Sequence, residues 1–96
     1  MRYRVVIEGR NYKMCLENEP ALFGFYTTRF IEACDHESAV EIAINMIEDD
    51  LAPKMLNDAN DPPVNRVDGV VEMESFPSGR APGGGYSWYI DKGEDS

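Results

Sequence analysis

Cys34, Asp35 and His36 are the residues whose types and spacing first suggest chemistry. A thiol and an imidazole two positions apart could converge on one metal ion, with Cys15 and Asp35 completing the ligand set. The same two groups could form a nucleophile and its base, because a thiol just before a helix N-terminus is stabilised as a thiolate. The neighbouring Asp35 opposes that, and no Cys-x-x-Cys pair or second histidine supports a metal site. The plainer expectation is a buried Cys34 and a solvated His36 in the first helical turn. Glu72 and Glu74 are spaced to share one face of a strand and could act as an acid/base pair, although exposed strand carboxylates are ordinarily just solvated.

Two other stretches invite a functional reading. Backbone N–H groups of the glycine-rich run Gly79–Gly85 could cradle a phosphate. The run lacks the Gly-Lys-Ser/Thr ending of a P-loop and leads into an aromatic segment rather than a helix, so it reads as a hairpin loop. The aromatic residues Tyr3, Tyr12, Phe25, Tyr26, Phe30, Tyr86, Trp88 and Tyr89 could stack nucleic acid bases. Such stacking works within a basic groove, and only Arg2, Arg4 and Arg29 are placed to supply one. Most of these rings read as core, while one or two exposed at an edge, such as Tyr86 and Trp88, suit contact with a protein.

The elements that must position these residues follow from periodicity. Tyr3, Val5 and Ile7 alternate with Arg2, Arg4, Val6 and Glu8 as in a half-buried strand. Gly9-Arg10-Asn11 is either a hairpin turn or a bulge within one long bent strand, since Tyr12, Met14 and Leu16 resume the alternation. Glu17-Asn18-Glu19-Pro20 reads as a turn. Phe23 to Cys34 is the clearest strand, with Phe25, Thr27, Arg29, Ile31 and Ala33 on one face and Tyr26, Thr28, Phe30, Glu32 and Cys34 on the other.

A helix is expected over His36–Leu51. Asp35 can cap it by accepting from the N–H groups of Glu37 and Ser38. Val40, Ala43, Ile44, Ile47 and Leu51 form the apolar stripe, widened by Ala39, Ile42 and Met46, and Glu37, Glu41, Asn45 and Glu48 form the opposite face. Ala52 to Asn65 is a long polar connection of the kind more often functional or mobile than packed, with one short helical turn at Pro53–Leu56. Arg66 to Glu74 reads as a strand with Val67, Gly69, Val71 and Met73 on one face, and Tyr86–Ile90 as a closing aromatic strand.

These elements predict an α+β fold of ββαββ type, an antiparallel sheet of four to five strands with one main helix on one face. Its 96 residues leave room for one core, in a single domain over residues 1–90 followed by a frayed tail at 91–96. Two cysteines are too few for a disulfide scaffold, the N-terminal segment lacks the apolar run of a signal peptide, and no stretch is long enough to span a membrane. The expectation is a cytoplasmic protein with free thiols.

Charge is unevenly placed within a formal net charge of -9: residues 1–34 carry five basic and four acidic side chains, and residues 35–75 carry two basic and eleven acidic ones. A chain without a basic footprint is not expected to bind nucleic acid or anionic lipid. A basic partner fits it better, although acids on a solvated helix face also simply keep a small protein in solution.

The segment Gly24-Phe25-Tyr26-Thr27-Thr28-Arg29-Phe30-Ile31-Glu32-Ala33 resembles that of small bacterial proteins of unknown function, in which a Gly-Phe-Tyr-Thr-Thr-Arg strand precedes one acidic helix. The resemblance extends to the opening Tyr-Arg-Val-Val-Ile-Glu-Gly strand and the closing aromatic strand, and implies no established activity. In strand order and helix placement only, the chain is also similar to antitoxin-type partial ribonuclease-H-like domains, without the DNA-binding segment that those domains add.

The functional expectation is a non-catalytic protein–protein interaction module without cofactor or metal. Its contact surface would comprise Glu37, Glu41, Asn45, Glu48, Tyr86 and Trp88, and its partner would be another protein or a second copy paired through an edge strand, Arg2–Glu8 or Tyr86–Ile90. Two alternatives stand beside it. One is a small-molecule or metal-binding protein using the Cys34/His36 junction or the Gly79–Gly85 loop. The other is an acidic inhibitor of a nucleic-acid-binding protein, acting through Glu41, Glu48 and Asp49.

Overall fold

The computed structural model describes residues 1–15, 18–77 and 83–91. In chain order it contains β1 (Arg2–Cys15), β2 (Pro20–Glu32), α1 (His36–Leu51), a 3-10 turn at Ala52–Lys54, β3 (Val64–Met73) and β4 (Ser87–Ile90). The strands make one antiparallel sheet in the order β3-β1-β2-β4, with α1 against one face. Residues 16, 17, 78–82 and 92–96, which include part of the anticipated turn, most of the glycine-rich run and most of the tail, lie outside the described residues.

β1 is one long strand rather than a hairpin. Gly9 pairs with Phe25 and Tyr12 with Phe23, so Arg10 and Asn11 together oppose Gly24. Asn11 takes a left-handed conformation, φ 60°, which an asparagine tolerates and which lets the strand absorb an extra residue. The bulge keeps Tyr12 and Met14 on the same buried side as Tyr3, Val5 and Ile7. Gly9 is required there by close approach, since a Cβ would run into the ring of Phe25.

The helix-side core is continuous. Tyr3, Val5, Ile7, Tyr12, Met14, Phe25 and Ile31 of the sheet meet Ala39, Ala43, Ile47 and Leu51 of α1. The small Ala39 and Ala43 seat the helix close to the strands, so Val40, Ile44 and Met46 fall at the margins of the interface. Ile42, expected to widen the buried stripe, is instead 39% exposed. The Asp35 carboxylate accepts from the Ser38 N–H at 2.8 Å and closes the N-terminus.

Several expectations need correction. Arg2–Glu8 is not an edge, because β3 returns to pair with β1 on the side away from β2; the edges are β3 and β4. Within β3, Val6 pairs with Gly69 and Ile7 with Val67, so Asp68 is an extra residue that breaks the anticipated alternation from Val67 to Met73. Glu74 lies beyond the end of β3 and does not share a strand face with Glu72. Asp91, assigned to a frayed tail, is buried: its N–H donates to Leu22 O at 3.0 Å, and its carboxylate accepts from the Asn11 N–H at 2.8 Å.

The connection after α1 is tied down rather than loose. Pairing of β1 with β3 stops at Arg10, which leaves the following stretch of β1 in need of partners. Leu56 N–H donates to Lys13 O at 2.7 Å, and the Asn57 side chain accepts from Lys13 N–H at 3.0 Å and donates to Asn11 O at 2.8 Å. Asn11 in turn donates to Asp61 at 2.9 Å and to Pro62 O at 3.1 Å.

Candidate functional site

The outer surface of α1 carries the candidate residues Glu37, Glu41, Asn45 and Glu48, all exposed. Burial of Ala39, Ala43, Ile47 and Leu51 against the sheet fixes this orientation. Glu37, Glu41 and Asn45 border a surface hollow of about 650 Å³, together with Asp35, His36, Ser38, Val40 and Ile44. Half-buried Val40 and Ile44, one turn apart, supply its apolar part.

The electrostatics of α1 are one-sided. It holds Glu37, Glu41, Glu48, Asp49 and Asp50 and neither lysine nor arginine. Glu37 favours the positive end of the helix dipole, whereas Glu48, Asp49 and Asp50 crowd the negative end without a basic side chain in the last turn. Glu37 and Glu41 repel each other across one turn. The Asp35 carboxyl is held below its ordinary pKa by the hydrogen bonds from Ser38, assisted by nearby His36.

Tyr86 and Trp88 belong to a different part of the molecule. Their rings stack with centroids 5.2 Å apart, and both pack edge-on against buried Phe25. The Tyr86 hydroxyl donates to Asp50 at 2.6 Å and accepts from Arg29 at 2.8 Å, so its half-buried ring closes the sheet against the end of α1. Burial, reinforced by the hydrogen bond to Asp50, pushes its pKa up to about 12. Trp88, 37% exposed at the β4 edge, keeps an outward surface.

The remaining candidates do not converge. Cys34 is exposed rather than buried, because β2 ends at Glu32 and the thiol lies past the covered sheet. His36 packs against Tyr3 at 4.9 Å. Cys15 sits at the opposite end of the β1–β2 pair, since Cys15 pairs with Pro20 whereas Glu32 pairs with Arg2. Among the described residues no group of three or more His, Cys, Asp or Glu is placed to hold a metal ion. The described part of the glycine-rich run turns carbonyls inward: Gly83 O accepts from Arg29 and Gly85 O from Thr27. Among the described residues Arg2, Arg4 and Arg29 do not make one basic groove, because Arg29 is buried on the helix side whereas Arg2 and Arg4 lie on strand positions of the opposite face.

That opposite face is open. Arg4, Val6, Thr28, Phe30, Met73 and Pro77 line a hollow of about 380 Å³ there. Beside it Glu8, which the strand pattern marks only as an outward-facing acid, is 7% exposed. Besides Asp91, Arg29 and Glu8 are buried charges not legible as such in the sequence: alternation assigns their faces, but their cover comes from Tyr86 and Tyr89, far along the chain. No family model, curated protein or solved structure matches the chain. Among the described residues no helix is long and apolar enough to cross a membrane.

Proposed function

We propose that this protein is a non-catalytic interaction module that docks a basic protein segment on the outer surface of α1. The observation that carries this reading is a helix with five carboxylates and neither lysine nor arginine, bordering a hollow whose apolar part is Val40 and Ile44. Solvation alone is served by mixed charges and by i,i+4 pairs of opposite sign, which would also stabilise the helix. This helix forgoes both, and a local departure of that kind belongs where recognition sets the sequence. A lysine- or arginine-rich amphipathic helix offers apolar side chains for the hollow and cations for Glu37, Glu41 and Glu48. The partner is another protein rather than a second copy, because two such helices repel. Both thiols are exposed and free, which suits a reducing cytoplasm.

The test is fluorescence anisotropy of a labelled amphipathic Lys/Leu helical peptide. The variant Glu37→Gln, Glu41→Gln, Glu48→Gln should bind at least about tenfold more weakly, with a reduced salt dependence. The charge-matched variant Asp68→Asn, Glu72→Gln, Glu74→Gln should bind within about twofold of the parent if the helix is the determinant. Equal losses in both variants would mean that net charge, not this surface, holds the peptide.

A further inference from the structure

On the open face of the sheet, three neighbouring strands bring Arg66, Glu8 and Tyr26 into one row, since Glu8 pairs with Arg66 on one side and Tyr26 on the other. Tyr89 joins them from β4: it pairs with Gly24, and its ring lies over the space that a side chain at Gly24 would fill. The Tyr89 hydroxyl donates to one Glu8 oxygen at 3.0 Å, and an Arg66 Nη donates to the other at 2.9 Å. The Tyr26 and Tyr89 rings are 6.1 Å apart and tilted by 35°. Glu8 raises the pKa of the Tyr26 hydroxyl chiefly through its charge, which places that hydroxyl within the carboxylate's field as well.

The two halves of the ion pair are unequally placed. The Glu8 side chain is 9% exposed and the Arg66 side chain 69% exposed. A carboxylate so far removed from water requires a cation, whereas the exposed guanidinium gives up little on returning to solvent. Any guanidinium reaching the same oxygens would meet the same charge, a hydrogen-bonded acceptor and two aromatic rings capable of cation–π contact.

We propose that Glu8, Tyr26 and Tyr89 form a guanidinium-recognition site that the isolated chain fills with its own Arg66 and that exchanges it for an arginine of a basic protein partner. The exchange makes Arg66 an internal competitor, so affinity is set by the difference between two similar ion pairs and rises when Arg66 is removed. The proposal shares with the helix reading only the basic character of the partner. It concerns the opposite face of the sheet, so either can fail alone.

The test uses the Arg66→Ala variant of the full chain, titrated with N-acetyl-arginine amide and, as a neutral isostere, N-acetyl-citrulline amide, while the tyrosine ring resonances are followed by NMR. Saturable shifts at Tyr26 and Tyr89 are expected with the arginine derivative only, at an affinity at least about tenfold above that of the parent chain. They should disappear when Glu8→Gln is added. Absence of saturable shifts in Arg66→Ala, or their persistence in the double variant, would overturn the proposal. Should Arg66→Ala fail to fold, recovery of the folded spectrum on adding the arginine derivative supports the site, and no recovery overturns it. Helix-face binding of the Lys/Leu peptide is unaffected by either result.

Discussion

Val5 and Val6 are neighbours in β1, yet Val5 is fully buried beneath α1 while Val6 lines an open hollow with Phe30 and Met73. The same contrast runs along β2, where Phe25 meets Tyr12, Tyr86 and Trp88, and Phe30 on the other face meets the ring of Phe76. The covered side therefore contains the close packing that a chain of this length needs to fold. The open side and the outer surface of α1 are freer to be shaped by a partner. The proposals of recognition therefore rest on the row of carboxylates on α1 and on the buried Glu8 beside Tyr26 and Tyr89.

The two faces should differ in their sensitivity to substitution. Phe25→Ala should cost about 3–5 kcal/mol in urea denaturation, while Phe30→Ala should cost less than half as much. Similar losses would erase the distinction between the faces. Gly9→Ala should cost about 1–3 kcal/mol by driving a methyl into the Phe25 ring. Gly69→Ala, with open space around the added Cβ, should stay within about 0.5 kcal/mol of the parent.

Tyr86→Phe removes a donor to Asp50 and an acceptor from Arg29, and should cost about 1–3 kcal/mol. The pH dependence follows from the same residue. Its folded pKa is raised from 10.0 to about 12, so this stabilisation is complete below the ordinary tyrosine value and is lost as pH rises through that interval. Alkaline melting curves of the parent and Tyr86→Phe should therefore converge over that range. The smallest effect belongs to Asp35, whose carboxyl is held below the ordinary aspartate pKa by the hydrogen bonds from Ser38. Its contribution is present above that ordinary pKa and is lost as the solution is acidified through the lowered value, which amide protection at Ser38 should report.

The parts of this fold legible in sequence are those with local causes. Asp35 and the three- and four-residue spacing from Ala39 to Leu51 define the helix, and alternation from Phe25 to Ile31 places Arg29 on the covered face. The choice between turn and bulge at Gly9–Asn11 was open because it depends on β2 running alongside the whole of β1. The interior position of β1 was hidden for a similar reason: β3 reaches it after a long connection whose anchoring rests on the amide of Asn57. The acidic half of the candidate surface was visible as a helix face. Tyr86 was also visible as a site residue, but its part in bridging Arg29 and Asp50 was not, because both partners come from other elements.

A residue-resolved footprint of the basic amphipathic peptide on the protein, by backbone amide chemical shifts at low and physiological salt, locates the docking surface. Docking on α1 predicts saturable shifts concentrated at Glu37, Val40, Glu41, Ile44, Asn45 and Glu48, weakening as salt is raised. Shifts centred instead on the open face, around Val6, Phe30 and Met73, or spread evenly over the acidic side chains, would contradict it.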